Sequence, residues 1–359
     1  MTARDILYKV LFFLLLIYLF FVSIQLMGSA FRLFGKDFAE SLIRTTSNPF
    51  VGLLVGILAT SVVQSSSCTT SIVVGFAASG SLTILNAVPI IMGANIGTTI
   101  TNILVSLGHI HRRNEFERAF AGATCHDFFN LLSVIVVFPL QLRFHVLSRT
   151  ASFLTDSFVR IGGIQLINPL QLATAPTVRL FKFVCLNHPV IMLILALIIL
   201  FFSLRFITQL MRGLVATKAE KGLNQHVFNS PGRAFLMGAS LTAIIQSSSV
   251  ATSLMVPLVG AGLVTVEKKF PYTLGTNVGT TVTTILASLA TANPAAITIA
   301  LCHLLFNVIG IIIFYPLRWI PIGLAKELGR RVARKRWHAI IYVFVTFYVI
   351  PVLLIFLWR

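Results

Sequence analysis

Charge is what this chain has least of. Only 11% of its 359 residues are Asp, Glu, Lys or Arg, and 10 of those are acidic against 28 basic. No Lys, Arg, Asp or Glu occurs from Thr45 to Ile110, from Ala234 to Val266, or from Phe270 to Leu317. Soluble domains carry roughly a quarter charged residues, so that class is excluded. Cysteine is scarce as well: Cys68, Cys125, Cys185 and Cys302 lie in or beside apolar segments. Their spacing matches neither a metal site nor a secreted disulfide framework, and they read as small packing residues. What remains is 57% hydrophobic with a strongly positive mean hydropathy, an integral membrane protein. The net charge of +18 does not point to nucleic acid, because the Lys and Arg sit in short clusters between apolar runs. Cytoplasmic loops obeying the positive-inside bias have that pattern.

Six segments follow from the distribution of apolar runs. Residues 1–48 hold an N-terminal transmembrane helix, apolar from Val10 to about Met27, and a mixed-charge connection. A signal peptide ending near Gly28-Ser29-Ala30 is the competing reading, disfavoured because the apolar run outlasts an ordinary h-region. Residues 49–142 form a first unit, in which uncharged Gly, Ser, Thr and Asn and an internal Pro89 break the apolar runs. Such a stretch is tolerated at membrane depth only as re-entrant or discontinuous helices covered by protein. Residues 143–188, with Gly162-Gly163, Asn168-Pro169 and Pro176, read as an external linker. Residues 189–233 supply a helix returning inward and a cytoplasmic connection marked by Arg212, Lys218, Lys221 and Arg233. Residues 234–317 repeat the first unit. Residues 318–359 carry the basic run Arg330 to Arg336 and a last span from Ile340 to Trp358.

The two units share a motif and a frame. Gln64-Ser65-Ser66-Ser67 recurs as Gln246-Ser247-Ser248-Ser249, and Gly93-Ala94-Asn95-Ile96-Gly97-Thr98-Thr99 as Gly275-Thr276-Asn277-Val278-Gly279-Thr280-Thr281. The Gln-to-Asn separation is 31 in both copies (95 − 64 and 277 − 246). Cys125-His126-Asp127 is echoed by Cys302-His303-Leu304, at an offset of 177 (303 − 126) rather than the 182 (246 − 64) of the Gln residues. The connection before the second copy is basic and the one before the first nearly balanced, so the copies are expected to enter from opposite sides. The fold class expected is an all-α polytopic membrane protein of two inverted repeats, each with a re-entrant or broken-helix hairpin carrying Gln-Ser-Ser-Ser.

A Gln followed by three Ser at a helix break offers hydroxyls, an amide and freed backbone N–H groups, which attract an anion where a half-helix starts. Carbonyl, Thr and Asn oxygens nearby, those of Asn95, Thr276 and Asn277 among them, are hard ligands suited to Na⁺. Neither motif contains a fixed charge. A desolvated oxyanion would then cost on the order of several kcal/mol, which bound Na⁺ would offset, coupling the two ions without a covalent step. His126 and His303 read as structural histidines bonded near the Asn four residues on, with a proton relay as the rival reading. Asp127, whose place is taken by Leu304 in the second copy, reads as a cation contact or an Arg partner. A channel or a carrier for another small ion is the alternative function. An intramembrane serine hydrolase using Ser66 and His126 fits less well, because the duplicated triplet lacks a nucleophile elbow.

On these motifs, together with Arg118-Ala119-Phe120-Ala121-Gly122-Ala123-Thr124 and Leu301-Cys302-His303, the chain resembles the type II sodium-dependent phosphate cotransporter family. The resemblance covers nearly the whole chain. It implies a symporter, not an enzyme, that imports inorganic phosphate with Na⁺ as co-transported ion and uses no cofactor. Gln64, Ser65, Ser66 and Ser67 with Gln246, Ser247, Ser248 and Ser249 would form the phosphate site. Thr280 and Thr283 lie where the family has sodium-associated residues, and Thr98 with Thr101 are their repeat equivalents. Partners implied are phosphate, Na⁺ and the lipid bilayer, with no nucleic acid, and a homodimer is compatible with such a frame. The chain has no Asn-x-Ser/Thr acceptor and a short linker, unlike animal members. These features point to a bacterial inner-membrane, multi-pass protein.

Overall fold

The computed structural model describes residues 3–161, 168–222 and 225–358, and these are helical with no strand. Gly162 and Gly163 of the expected linker lie outside the described residues. The first helix, α1 (Ala3–Leu33), is apolar over Leu7–Leu33, long enough to cross a bilayer. Val22, Ile24 and Met27 on it are fully buried, which makes it part of the core. The mixed-charge connection is itself a helix, α2 (Lys36–Thr45), with Asp37 in its first turn and Arg44 in its last, favourable for the dipole. It meets α3 (Pro49–Val63) at 97°. Asn48 caps α3 by accepting from the Phe50 N–H at 3.0 Å, and Pro49 at the first helical position sets its direction.

The first unit continues with α4 (Ser66–Ser79), α5 (Ile84–Gly97), α6 (Ile100–Ser106), a single 3₁₀ turn at Leu107–His109, and α7 (Arg113–Phe144). Helices α8 (Val146–Arg160) and α9 (Asn168–Val184) follow. Where described, the expected linker is thus helical and packed. The Thr298 hydroxyl reaches the Thr155 oxygen on α8 at 2.9 Å, and Tyr18 on α1 and Thr177 on α9 share a hydrogen bond of 2.6 Å.

The second unit opens after α10 (Pro189–Gly222) and the short α11 (Gln225–Phe228). It comprises α12 (Pro231–Ile245), α13 (Ser248–Ser253), α14 (Met255–Gly260), α15 (Val266–Thr291) and α16 (Pro294–Phe314). The chain ends with α17 (Trp319–Arg334), α18 (Trp337–Phe344), a π-helical turn at Val345–Val349, and α19 (Ile350–Trp358). Glu327 on the exposed face of α17 accepts from Arg330 at 2.7 Å and Arg331 at 2.8 Å, so part of the basic run is internally paired.

Among the described residues six stretches are long and apolar enough to span: Leu7–Leu33, Ile84–His109, Arg113–Phe144, Pro189–Met211, Pro294–Phe314 and Trp337–Trp358. Helices α4 and α12 and the α13–α14 stretch are apolar but too short. Those short helices flank the Gln-Ser-Ser-Ser runs.

Close approach of backbones fixes each hairpin against the helix beside it. A Cβ added at Gly93 on α5 would lie 1.9 Å from the Leu53 carbonyl oxygen on α3, and one at Gly275 on α15 would lie 2.0 Å from that of Phe235 on α12. Gly56 and Gly238 make the reverse approach: a Cβ added at either would lie 2.1 Å from a carbonyl oxygen, of Ile90 and Tyr272 respectively. The two contacts of the second unit repeat the two of the first at the 182-residue offset. Small residues let helices without a hydrophobic drive between them pack by backbone contact.

Candidate functional site

Each Gln-Ser-Ser-Ser run is a break between two helices with one backbone geometry. Gln64 ends α3 at φ 55°, ψ 28°, and Gln246 ends α12 at φ 60°, ψ 27°, both left-handed. Each Gln N–H closes the helix onto a Thr carbonyl, of Thr60 and Thr242, at 2.7 Å. A left-handed residue other than glycine costs roughly 1–2 kcal/mol, and the chain meets that cost twice, at the same residue type. The next residue is extended and caps the following helix: Ser65 Oγ accepts from the Cys68 N–H at 3.2 Å and Ser247 Oγ from the Val250 N–H at 3.3 Å. Ser66 and Ser67 therefore open α4, and Ser248 and Ser249 open α13, with all four buried. Gln64 is exposed, while Ser65, Gln246 and Ser247 are half-buried.

The two breaks meet. Ser67 Oγ donates to the Gln246 carbonyl at 3.2 Å and lies 3.4 Å from Thr283 Oγ1. A cavity of about 280 Å³ beside them is lined by Gln64, Ser65, Gln246 and Ser247, and by Leu204 and Arg205 of α10. Its volume is several times that of a small oxyanion.

Behind the breaks, hydrogen bonds link the units reciprocally. Thr252 on α13 donates to Asn102 Oδ1 on α6 at 2.7 Å, and Asn102 lies 3.4 Å from His126 Nδ1. At the equivalent positions Thr284 on α15 bonds to Thr70 on α4 at 3.0 Å and to His303 Nδ1 at 2.9 Å. The other imidazole nitrogens cross over too: His126 Nε2 to Asn277 Oδ1 at 2.6 Å, and His303 Nε2 to Asn95 Oδ1 at 3.4 Å. Asn130 joins the set, donating to the Asn95 carbonyl at 2.9 Å and accepting from Asn277 Nδ2 at 2.8 Å. Contacts of the form i to j′ and j to i′ are those of a two-fold arrangement. Both histidines are fully buried and engaged by Asn and Thr, so neither is hydrogen-bonded to a serine of the runs.

The threonines differ among themselves. Thr98, Thr276 and Thr280 each donate back to a carbonyl of their own helix, at 2.7 to 2.9 Å. Their second lone pairs remain as acceptors. Thr283 faces Ser67, whereas the Thr101 hydroxyl is buried with no hydrogen-bond partner among the described residues. Ser71 and Thr242 carry similarly unpartnered hydroxyls. Asp127 is buried and pairs with two hydroxyls, Thr99 at 3.0 Å and Tyr342 of α18, instead of an Arg.

Several of these groups escape a motif search. Thr70, Asn102, Thr252 and Thr284 lie between the motifs, and projecting Thr70 and Asn102 by 182 would have paired them with Thr252 and Thr284. Tyr342 lies outside both units. Arg205 is a lone cation in the apolar run of α10, a signal present in the sequence; neither motif contains a charge, but this one lines the cavity beside them.

The model of the family described as Na+/Pi-cotransporter matches residues 19–166 and 199–325. Sodium-dependent phosphate transport protein 2B of Homo sapiens is 35% identical over 435 residues, covering 93% of this chain and 63% of that protein. Sodium-dependent phosphate transport protein 2A of Ovis aries is 37% identical over 426 residues, 96% of this chain and 66% of that protein. The Rattus norvegicus 2A protein is 36% identical, over 93% and 65%. The chain thus spans 63–66% of the length of these relatives. No solved structure matches it.

Proposed function

The chain belongs to the Na+/Pi-cotransporter family, and from that premise we propose that it imports inorganic phosphate coupled to Na⁺ by alternating access. The observation that carries the reading is the convergence of two left-handed Gln breaks, each followed by a Ser-capped helix start, joined by the Ser67 to Gln246 bond. Phosphate sits between Gln64, Ser65, Ser66 and Ser67 of one unit and Gln246, Ser247, Ser248 and Ser249 of the other. Backbone N–H groups and hydroxyls there supply donors at no cost of reorganisation. Na⁺ is held by oxygens of Asn95, Thr98, Thr101, Thr276, Asn277, Thr280 and Thr283. The unpartnered Thr101 hydroxyl supports a role for that set, because a buried lone pair without a partner is costly and a cation would use it.

Residues 49–142 and 234–317 act as repeats inverted in the membrane, and the reciprocal His–Asn and Thr bonds support that arrangement. The linker at residues 143–188 lies outside and the connection within 189–233 inside a bacterial inner membrane. Protomers pair as homodimers. Radiolabelled phosphate uptake into proteoliposomes tests the reading. Saturable accumulation is expected with an inward Na⁺ gradient and not with K⁺ or a proton gradient alone; flux without saturation would favour a pore and count against it.

A further inference from the structure

Arg205 is the single charged residue between Pro189 and Met211, the apolar span of α10. It stands sixteen residues past Pro189 (205 − 189), about 24 Å along the helix and within the stretch apolar enough to span. A cation held in such a stretch is expensive and marks a functional site by default. Its surroundings say which one. The side chain lines the cavity shared by Gln64, Ser65, Gln246 and Ser247, and no Asp or Glu lines that cavity. No carboxylate pairs with Arg205 among the described residues. One turn on, Thr208 donates to the carbonyl of Ile245, the last residue of α12 before the second break, at 3.3 Å. That bond seats this face of α10 against the break.

We infer that the cavity between α10 and the two breaks is an anion-receiving subsite, with the Arg205 guanidinium as its fixed cation. Its planar fork of N–H donors matches two oxygens of a tetrahedral oxyanion, and its accessible position lets it meet the anion before the buried serines do. The inference rests on the phosphate-transport reading and changes its electrostatics. Part of the countercharge is resident in α10, and Na⁺ completes it. A lone intramembrane guanidinium could instead extend to lipid headgroups, in which case phosphate affinity would ignore it.

The test measures equilibrium binding of radiolabelled inorganic phosphate to the full chain at saturating Na⁺, with uptake in proteoliposomes alongside. Arg205→Gln is expected to raise the Kd and KM for phosphate by roughly ten- to a hundredfold, and Arg205→Lys to recover most of that loss. Arg205→Cys adds a second arm that survives poor folding of the Gln variant. A positively charged aminoethyl thiosulfonate adduct should restore affinity and a sulfonatoethyl adduct should not, with unsubstituted protein treated in parallel because Cys68 lines the same cavity. Affinity unchanged within twofold in Arg205→Gln would overturn the inference, as would loss of binding that neither Lys nor the cationic adduct restores. If the unsubstituted protein neither binds nor accumulates phosphate with Na⁺, the transport reading itself fails, an outcome distinct from either.

Discussion

The hairpins at Gln64 and Gln246 agree in backbone to within a few degrees, yet the groups around them do not agree. Both end in a left-handed Gln, both restart on a Ser cap, and both lean on a glycine where an added Cβ would lie 2.0 Å or less from a carbonyl oxygen. Asp127, with its Thr99 and Tyr342 partners, has only Leu304 opposite it. Thr283 touches Ser67, while the hydroxyl of its equivalent, Thr101, has no hydrogen-bond partner among the described residues. α4 is one helix of 14 residues, whereas the second copy divides into α13 and α14 of 6 residues each. What is shared builds the scaffold that presents donors to a ligand. On the proposed function, what differs would supply the asymmetry a coupled carrier needs, since a symmetric site would treat each of its ions twice.

The largest expected effect removes the shared scaffold. Gly93→Ala and Gly275→Ala each drive a methyl into a carbonyl oxygen, and each is expected to cost about 3 kcal/mol or more. Thermal unfolding followed by size-exclusion chromatography should show both variants collapsing alike. Tolerance of one and not the other would show that the two contacts are not equivalent. Next comes the asymmetric carboxylate. Asp127→Leu, which makes the first unit like the second, takes the acceptor from the half-buried Tyr342 hydroxyl and from the buried Thr99 hydroxyl, and is expected to destabilise by about 1–3 kcal/mol. Tyr342→Phe in the same background should return part of that loss in a double-mutant cycle.

How much of this was legible beforehand varies with the physics behind each element. The Gln and Ser breaks were readable because polar residues inside uncharged apolar runs are rare and the spacing repeats. The helices α8 and α9 were not, since Gly162-Gly163 and Pro176 signal a loop locally while packing on α16 and α1 comes from residues far away in sequence. The reciprocal Thr–Asn and Thr–Thr bonds lie one step beyond motif reading. Thr70 looks like any membrane threonine until Thr284 is placed 3.0 Å away. Asp127 could be seen as exceptional from composition, but its partner Tyr342 lies 215 residues further on and in neither copy.

Smaller effects sharpen the contrast between the threonines. Thr101→Val removes an unpartnered hydroxyl, so stability without Na⁺ should hold or rise slightly, while the Na⁺ concentration for half-maximal uptake should rise several-fold. Thr283→Val loses the weak Ser67 contact as well and should lower stability by a few tenths of a kcal/mol with a similar Na⁺ effect. An unaltered Na⁺ response in both would remove them from the cation site. The opposite sign in stability is expected of Gln64→Gly and Gln246→Gly. Each relieves left-handed strain and is expected to gain up to about 1 kcal/mol in urea unfolding while uptake falls.

The most direct test of a single site built from both copies is the number of phosphates bound per chain at saturating Na⁺, in the unsubstituted protein and in Gln64→Ala and Gln246→Ala. One phosphate per chain, with affinity weakened by either substitution alone, is the expected result. Two phosphates per chain, with one retained at full affinity in each variant, would mean that the copies bind independently.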